Sequence, residues 1–206
     1  MSSVSTLGLT NPQVALIEAS SGYASMDTAG HSAMAIALDR AAGLLGWRGD
    51  KRGCFENIIS PGDKVVVKPN LVLHANQGTG GIEPLVTHPL CIKAVVEAAL
   101  DADAGEVIVG DAPIQGCDLE RLLDTIGLTQ WAEEMMRRDS RFKGIRDFRR
   151  TICTSKHGVR VASENLLPED RFVLFDLGLE SLLEPITERS ASFRVTCYDP
   201  RLMAKT

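Results

Sequence analysis

Two short apolar runs, each followed by polar residues, stand out in the hydrophobic pattern of this chain. The first lies in residues 63–70, where three consecutive valines follow Lys64. A continuous β-branched run is typical of a strand that is covered on both faces of a parallel sheet. Pro69 lacks an N–H group and disfavours helix at the residue before it, so the sequence predicts that this buried strand ends near Lys68.

The second run, residues 106–113, repeats this pattern and carries Asp111 at its polar end. Apolar residues at helical spacing lie between the two runs, with Thr87 as the expected N-cap and Pro89 in the first turn. Two strands joined by a helix form a βαβ unit, in which the crossover is right-handed and the strands are parallel. We therefore expect Lys68 and Asp111 to project from the same edge of the sheet.

Further elements continue this alternation of helices and strands. One helix is expected after Ser32, which is its candidate N-cap. Two more are expected, one from Asp118 as candidate N-cap to Gly127 and one through Trp131 and Met135. Additional strands are expected at residues 14–17, 159–161, 172–176 and 192–198. The pattern as a whole predicts an α/β fold, a Rossmann-like three-layer sandwich with a mostly parallel sheet.

The order of these elements predicts one domain with a short leader. Residues 1–11 have no periodic apolar pattern and are expected to form a flexible leader, whereas residues 12–206 are expected to form a single α/β domain. No closing element follows residue 198, so the domain is expected to be truncated at its C-terminus. Truncation would leave an unpaired strand edge or an apolar patch at residues 193–198, which predicts a homodimer.

The composition is that of an ordinary globular protein and excludes several classes of function. The chain has 206 residues, of which 44% are hydrophobic and 24% are charged, and its net charge is -5. Negative net charge argues against nucleic-acid binding, and the basic segment 137–150 is interrupted by Asp139 and Asp147, which is typical of a solvated face. The sequence contains neither an apolar run long enough to cross a bilayer nor a secretory signal, so it predicts no membrane partner.

The cysteines indicate a reducing compartment. Five cysteines are scattered along the chain, and none belongs to a Cys-x-x-Cys pair. Their spacing therefore predicts neither a zinc site nor an iron–sulfur site. An odd number of unclustered cysteines is typical of reduced thiols in a cytoplasmic protein.

The two strand ends supply the candidate catalytic residues, Lys68 and Asp111. Lys68 could neutralise an anionic substrate or act as a desolvated base, or it could be a surface lysine whose stem covers apolar area. Asp111 could be a general base, a metal ligand or an acceptor for a substrate hydroxyl, or it could cap a turn ahead of Pro113. The residue types allow a divalent metal and do not identify one.

Three neighbouring residues are candidate substrate ligands. Asn70 could orient a substrate or only bond a local turn, and Thr87 could contact a substrate or only cap the helix. His88 lies at the start of the helix, where a neutral imidazole could donate to a substrate or bind a metal, or it could be an exposed first-turn residue. The Gly-rich loop 74–81 would roof this site, although it matches no phosphate-binding pattern and its glycines also suit a plain turn.

Four segments of this sequence resemble the domain-of-unknown-function 362 family. They are residues 67–72, 87–89, 107–113 and 193–200, and the resemblance extends from about residue 14 to residue 200. The family is largely uncharacterised. Some members carry ferredoxin-like cysteine clusters, which this chain lacks, and members continue into a later half with a Lys-rich motif. The resemblance therefore implies an N-terminal portion of a longer family chain.

Three functions are compatible with these observations. The first is an enzyme domain that binds a small anionic substrate at the C-terminal edge of a parallel sheet, with an unassigned reaction. The second is a non-catalytic binding or scaffold module. The third is an accessory domain of an iron–sulfur redox system, against which the absence of cysteine clusters counts.

Overall fold

The computed structural model describes residues 14–18, 32–156 and 159–172. The chain divides into two compact units, residues 1–167 and 168–206. All of the α-helices and strands described below lie in the first unit. The division into a flexible leader and a single domain from residue 12 remains a prediction.

A three-stranded parallel sheet forms the centre of the first unit. Its strands are β1 (Lys64–Val67), β2 (Glu106–Asp111) and β3 (Phe142–Asp147), and their spatial order is β1-β2-β3. β1 and β2 pair in parallel with Lys64 opposite Glu106, and β3 pairs in parallel on the other side of β2. The predicted α/β fold with a mostly parallel sheet is therefore confirmed, while its Rossmann-like arrangement remains a prediction.

Four α-helices accompany this sheet. They are α1 (Ala33–Leu44), α2 (Pro89–Asp101), α3 (Leu119–Thr125) and α4 (Leu128–Arg138). The Ser32 hydroxyl accepts the Ala35 N–H at 3.1 Å, and the Asp118 carboxylate accepts the Arg121 N–H at 3.0 Å. Both predicted N-caps are confirmed, because each side chain satisfies an N–H group that the first helical turn leaves unpaired.

The hydrophobic core lies around β2 and α2. Val107 and Val109 of β2 have 0% of their surface exposed, as do Val96 and Ala99 of α2. Because β2 has a strand on each side, its apolar side chains are covered by neighbours in the sheet and by helices. This agrees with the prediction of a buried second strand.

The prediction of burial on both faces is wrong for β1. Among the described residues β1 pairs only with β2, and the side chains of its residues alternate between exposed and half-buried positions. Val66 is 58% exposed. Three consecutive valines suit an extended backbone in either setting, so they cannot distinguish an edge strand from a central one.

β3 lies inside the basic segment 137–150, for which a solvated face and no strand was predicted; Lys143 and Arg146 are exposed as expected, whereas Arg149 just after the strand is buried. The side chains of β3 alternate, with Phe142 buried and Lys143 exposed. An Asp-x-Arg pair lies at each end of the strand. We call Asp139 with Arg141 the N-terminal fork, and Asp147 with Arg149 the C-terminal fork.

An antiparallel hairpin, formed by β4 (Thr151–Lys156) and β5 (Val159–Asn165), follows the sheet. The strand predicted at residues 159–161 is confirmed within β5. The strand predicted at residues 14–17 is wrong, because residues 14–18 have no regular structure and Val14 and Leu16 are more than 90% exposed. Phe172 is not in a strand. The described residues do not include residues 173–176 and 192–198, so the rest of the predicted strands and the proposed dimer edge stay predictions.

Gly110, within β2, allows the chain after β3 to approach the sheet closely. A Cβ atom at this position would lie 2.4 Å from Phe148 Cε2 and 2.9 Å from the Arg146 carbonyl oxygen. We expect Gly110→Ala to lower the free energy of unfolding by about 2 kcal/mol, measured by urea denaturation, because the Phe148 ring and the backbone must move. The control is Gly43→Ala in α1, where no atom lies within 4 Å of a new Cβ, so we expect a gain of about 0.5–1 kcal/mol. Equal changes in the free energy of unfolding of the two variants would contradict the close packing of Phe148 against Gly110.

Candidate functional site

Lys68 and Asp111 meet at the C-terminal edge of the sheet. Lys68 follows β1 directly, Asp111 ends β2, and Lys68 Nζ lies 2.7 Å from Asp111 Oδ1. The two side chains differ in burial, since that of Lys68 is 67% exposed and that of Asp111 only 7%. The parallel pairing of β1 and β2 brings them together, as the sequence led us to expect.

Both oxygens of the Asp111 carboxylate accept backbone hydrogen bonds as well. Oδ2 accepts the Leu71 N–H at 2.7 Å, and Oδ1 accepts the Ala112 N–H at 2.9 Å. The Asp111 carbonyl oxygen accepts the Phe148 N–H at 2.8 Å. Asp111 thus joins the chain segments after all three strands of the sheet.

These contacts decide the charge state of Asp111. Burial by itself raises the pKa of the Asp111 carboxyl, but the hydrogen bonds from Lys68, Leu71 and Ala112 outweigh it and lower the pKa from its ordinary value. Asp111 is therefore an anion at neutral pH, and its lone pairs are directed at donors within the protein. Such a group holds its neighbours in place more readily than it removes a proton from a substrate.

Asn70 and Thr87 bind each other through a pair of reciprocal hydrogen bonds. The Asn70 N–H donates to the Thr87 hydroxyl oxygen at 2.9 Å, and the Thr87 N–H donates to the Asn70 carbonyl oxygen at 2.8 Å. Leu71 and Val86 form an isolated antiparallel bridge next to this pair. The start of α2 is thereby fixed beside the end of β1.

His88, rather than Thr87, is the N-cap of α2, so the predicted cap is wrong by one residue. His88 Nδ1 accepts the Leu90 N–H at 3.2 Å. In a neutral imidazole with an accepting Nδ1, the proton resides on Nε2. The Thr87 hydroxyl does not cap the helix because it accepts the Asn70 N–H instead.

The Gly-rich loop 74–81 is closed by its own asparagine. Asn76 Oδ1 accepts the Gly78 N–H at 2.8 Å, and Asn76 Nδ2 donates to the Gly81 carbonyl oxygen at 2.8 Å. At the start of the loop, His74 Nδ1 accepts the Asp118 N–H at 3.0 Å. These contacts favour an ordered turn between β1 and α2, and the first residue of the loop is hydrogen-bonded to the start of α3.

A cleft of about 720 Å³ lies at the end of β3. Its walls come from the start of α3, from the end of β3 and from the β4–β5 hairpin. None of the five predicted site residues lines this cleft. The sequence did not predict this cleft; the Asp-x-Arg spacing of residues 147–149 is the one local signal that points to an ordered strand end there.

The two residues of the C-terminal fork, Asp147 and Arg149, line the cleft. Arg149 is 4% exposed, and its Nε lies 3.0 Å and 2.9 Å from the two carboxylate oxygens of Asp147. Arg149 Nη1 donates to the Cys117 carbonyl oxygen at 3.0 Å. The guanidinium is thus neutralised and hydrogen-bonded within the protein, as a buried cation requires.

The DUF362 model, described as a domain of unknown function, matches residues 65–165. This match supports the resemblance to the DUF362 family for that segment. The DUF362 segment contains all five predicted site residues and the C-terminal fork. The extension of the resemblance beyond residues 65–165 and the later half expected of a family chain remain predictions. No curated protein and no solved structure matches the chain.

The described part of the chain contains no cluster of three metal ligands, and burial makes one cysteine at the cleft a poor nucleophile. Residues 14–18, 32–156 and 159–172 contain no group of three His, Cys, Asp or Glu side chains suited to a metal ion. Cys117 and Cys153 line the cleft, and burial raises the pKa of the Cys117 thiol, which makes it a poor nucleophile at neutral pH. No helix among these residues is both long and apolar enough to cross a membrane.

Proposed function

We propose that this protein binds a small anionic molecule at the C-terminal edge of its sheet, with the Lys68 ammonium as the principal cation. The observation that carries the proposal is the 2.7 Å contact between Lys68 and Asp111 at the adjacent ends of β1 and β2. Open α/β sheets bind their ligands outside the carboxyl ends of the strands.

The exposure of Lys68 supports a binding role despite its pairing with Asp111. An ammonium group has three N–H donors, and 67% of the Lys68 side chain is exposed. A lysine that is already held by a buried carboxylate loses less side-chain entropy when a ligand binds. Asp111 is assigned to positioning Lys68.

The lowered pKa of Asp111 argues against its use as a general base, since an effective base has a pKa near the working pH. Lys68 can instead stabilise negative charge that develops on a bound substrate. This is the enzyme form of the proposal, and it leaves the reaction open. A non-catalytic binding module would use the same residues to bind the anion without turnover.

Asn70 and His88 are proposed to orient the anion. The Asn70 backbone is fixed by its hydrogen bonds with Thr87, and its side chain is exposed. The His88 ring is held at the start of α2 by the hydrogen bond from the Leu90 N–H to its Nδ1. Thr87 acts through Asn70, because its hydroxyl oxygen accepts the Asn70 N–H.

Calorimetry with inorganic phosphate and with citrate tests this proposal, and Lys64 provides a matched control. Lys64 begins β1 and is exposed, whereas Lys68 follows the same strand at its other end. We expect Lys68→Ala to weaken binding of at least one anion by about tenfold or more, which corresponds to about 1.4 kcal/mol, and Lys64→Ala to leave it unchanged. The proposal fails if the wild type binds neither anion or if both variants weaken binding equally.

A further inference from the structure

We infer that the cleft at the end of β3 is a second ligand site, which takes a small molecule with an apolar body and a cationic amine. This site is separate from the anion site at Lys68, and its charge preference is the opposite. The inference is carried by the size of the cleft, its apolar lining and the exposed carboxylates of Asp118 and Glu120 that line it.

The size of the cleft is that of a small-molecule site. Its volume of about 720 Å³ lies within the range of roughly 300–1,000 Å³ that is typical of ligand pockets. Leu119 and Leu123 of α3 line one side, Ile145 of β3 lines the base, and Ile152 and Leu166 line the side of the hairpin. These five side chains provide an apolar surface for the body of a ligand.

The Gln115 side chain attaches the hairpin wall to the segment before α3. Gln115 Nε2 donates to the Thr151 carbonyl oxygen at 2.7 Å, and Gln115 Oε1 accepts the Cys153 N–H at 2.8 Å. The side-chain amide thus bonds the first strand of the hairpin as a neighbouring strand would. A ligand entering the cleft therefore meets a wall that is already formed, which reduces the cost of ordering it.

The charges of the lining favour a cation. Asp118, Glu120 and Asp147 contribute three carboxylates and Arg149 contributes the single guanidinium, which leaves two negative charges. Arg149 is already committed to Asp147 and to the Cys117 carbonyl oxygen. An anionic ligand would therefore meet repulsion without a matching cation, whereas an ammonium group would be attracted to Asp118 and Glu120.

Octylammonium and octanoate test this inference, because they share similar alkyl chains and carry opposite charges. We expect the full chain to bind octylammonium at least tenfold more tightly than octanoate in calorimetry at low salt. Glu120→Gln should weaken octylammonium binding about threefold or more, since Glu120 is exposed and lies at the cleft. Lys68→Ala should leave it unchanged, which separates this site from the anion site.

Glu133→Gln is the matched control, because Glu133 is an exposed carboxylate on α4 that does not line the cleft. Unchanged octylammonium binding in this variant supports the inference. The inference is overturned if octanoate binds as tightly as octylammonium, if octylammonium does not bind, or if Glu133→Gln weakens its binding as much as Glu120→Gln. The results with octylammonium and octanoate do not depend on whether phosphate binds at Lys68.

Discussion

Arg149→Ala is expected to lower the free energy of unfolding by about 4 kcal/mol, in the range found when one partner of a buried ion pair is removed. The Arg149 side chain is 4% exposed and Asp147 is 18% exposed. Loss of the Arg149 guanidinium leaves the Asp147 carboxylate without its cation and removes the donor to the Cys117 carbonyl oxygen. Urea denaturation followed by Trp fluorescence measures the effect, since Trp131 packs on Phe142 of β3 with ring centroids 5.4 Å apart.

The N-terminal fork offers a matched control for this prediction. Arg141 pairs with Asp139 through the same two-residue spacing, but its side chain is 37% exposed. We expect Arg141→Ala to cost about 1 kcal/mol, because solvent screens an exposed pair. Arg149→Lys should restore little stability, since an ammonium cannot reproduce the planar fork. Equal losses in Arg149→Ala and Arg141→Ala would contradict the importance of burial.

Asp111→Ala is expected to lower the free energy of unfolding by about 3 kcal/mol at pH 7, because it removes charge-assisted hydrogen bonds and leaves the buried Leu71 N–H unpaired. The pKa of Asp111 is lower in the folded state, so its contribution is present above the unfolded pKa of about 3.9. The contribution is lost as the pH falls through the folded pKa. The difference between wild type and variant should therefore shrink at low pH.

Urea denaturation at pH 7 and at about pH 3 measures this change, with Asp124→Ala as the control. Asp124 is an exposed carboxylate that accepts the Thr129 hydroxyl, and we expect its loss to cost less than about 1 kcal/mol at either pH. A difference between wild type and Asp111→Ala that is the same at both pH values would contradict an ionised, hydrogen-bonded Asp111.

The sequence predicted those parts of the fold that depend on local chemistry. The N-caps Ser32 and Asp118 were identified because a short polar side chain must pair the first N–H groups of a helix. The meeting of Lys68 with Asp111 followed from the βαβ unit, since parallel strands bring their carboxyl ends to one edge. His88 replaced Thr87 as the cap because the Thr87 hydroxyl accepts the Asn70 N–H, a partner 17 residues away.

The features that the sequence did not predict depend on neighbours distant in the chain. The valines of β1 suit a central strand and an edge strand equally, so the exposure of Val66 depends on which strands lie beside it. The sequence did not predict β3, because its basic residues obscured the alternation of buried and exposed positions that begins with Phe142. The cleft was missed because it exists only once the β4–β5 hairpin lies against α3 and β3.

The exposure of β1 has a consequence for the behaviour of this protein at high concentration. A strand edge with a free row of N–H and C=O groups can add a strand from another molecule, and such edges drive aggregation. Lys64 and Lys68 flank the three valines of β1, and charged residues in such flanking positions act as gatekeepers against edge-to-edge association. Among the residues that the structure describes, no strand pairs with the outer side of β1, so the charge of Lys68 is expected to oppose edge-to-edge association as well as to attract a ligand.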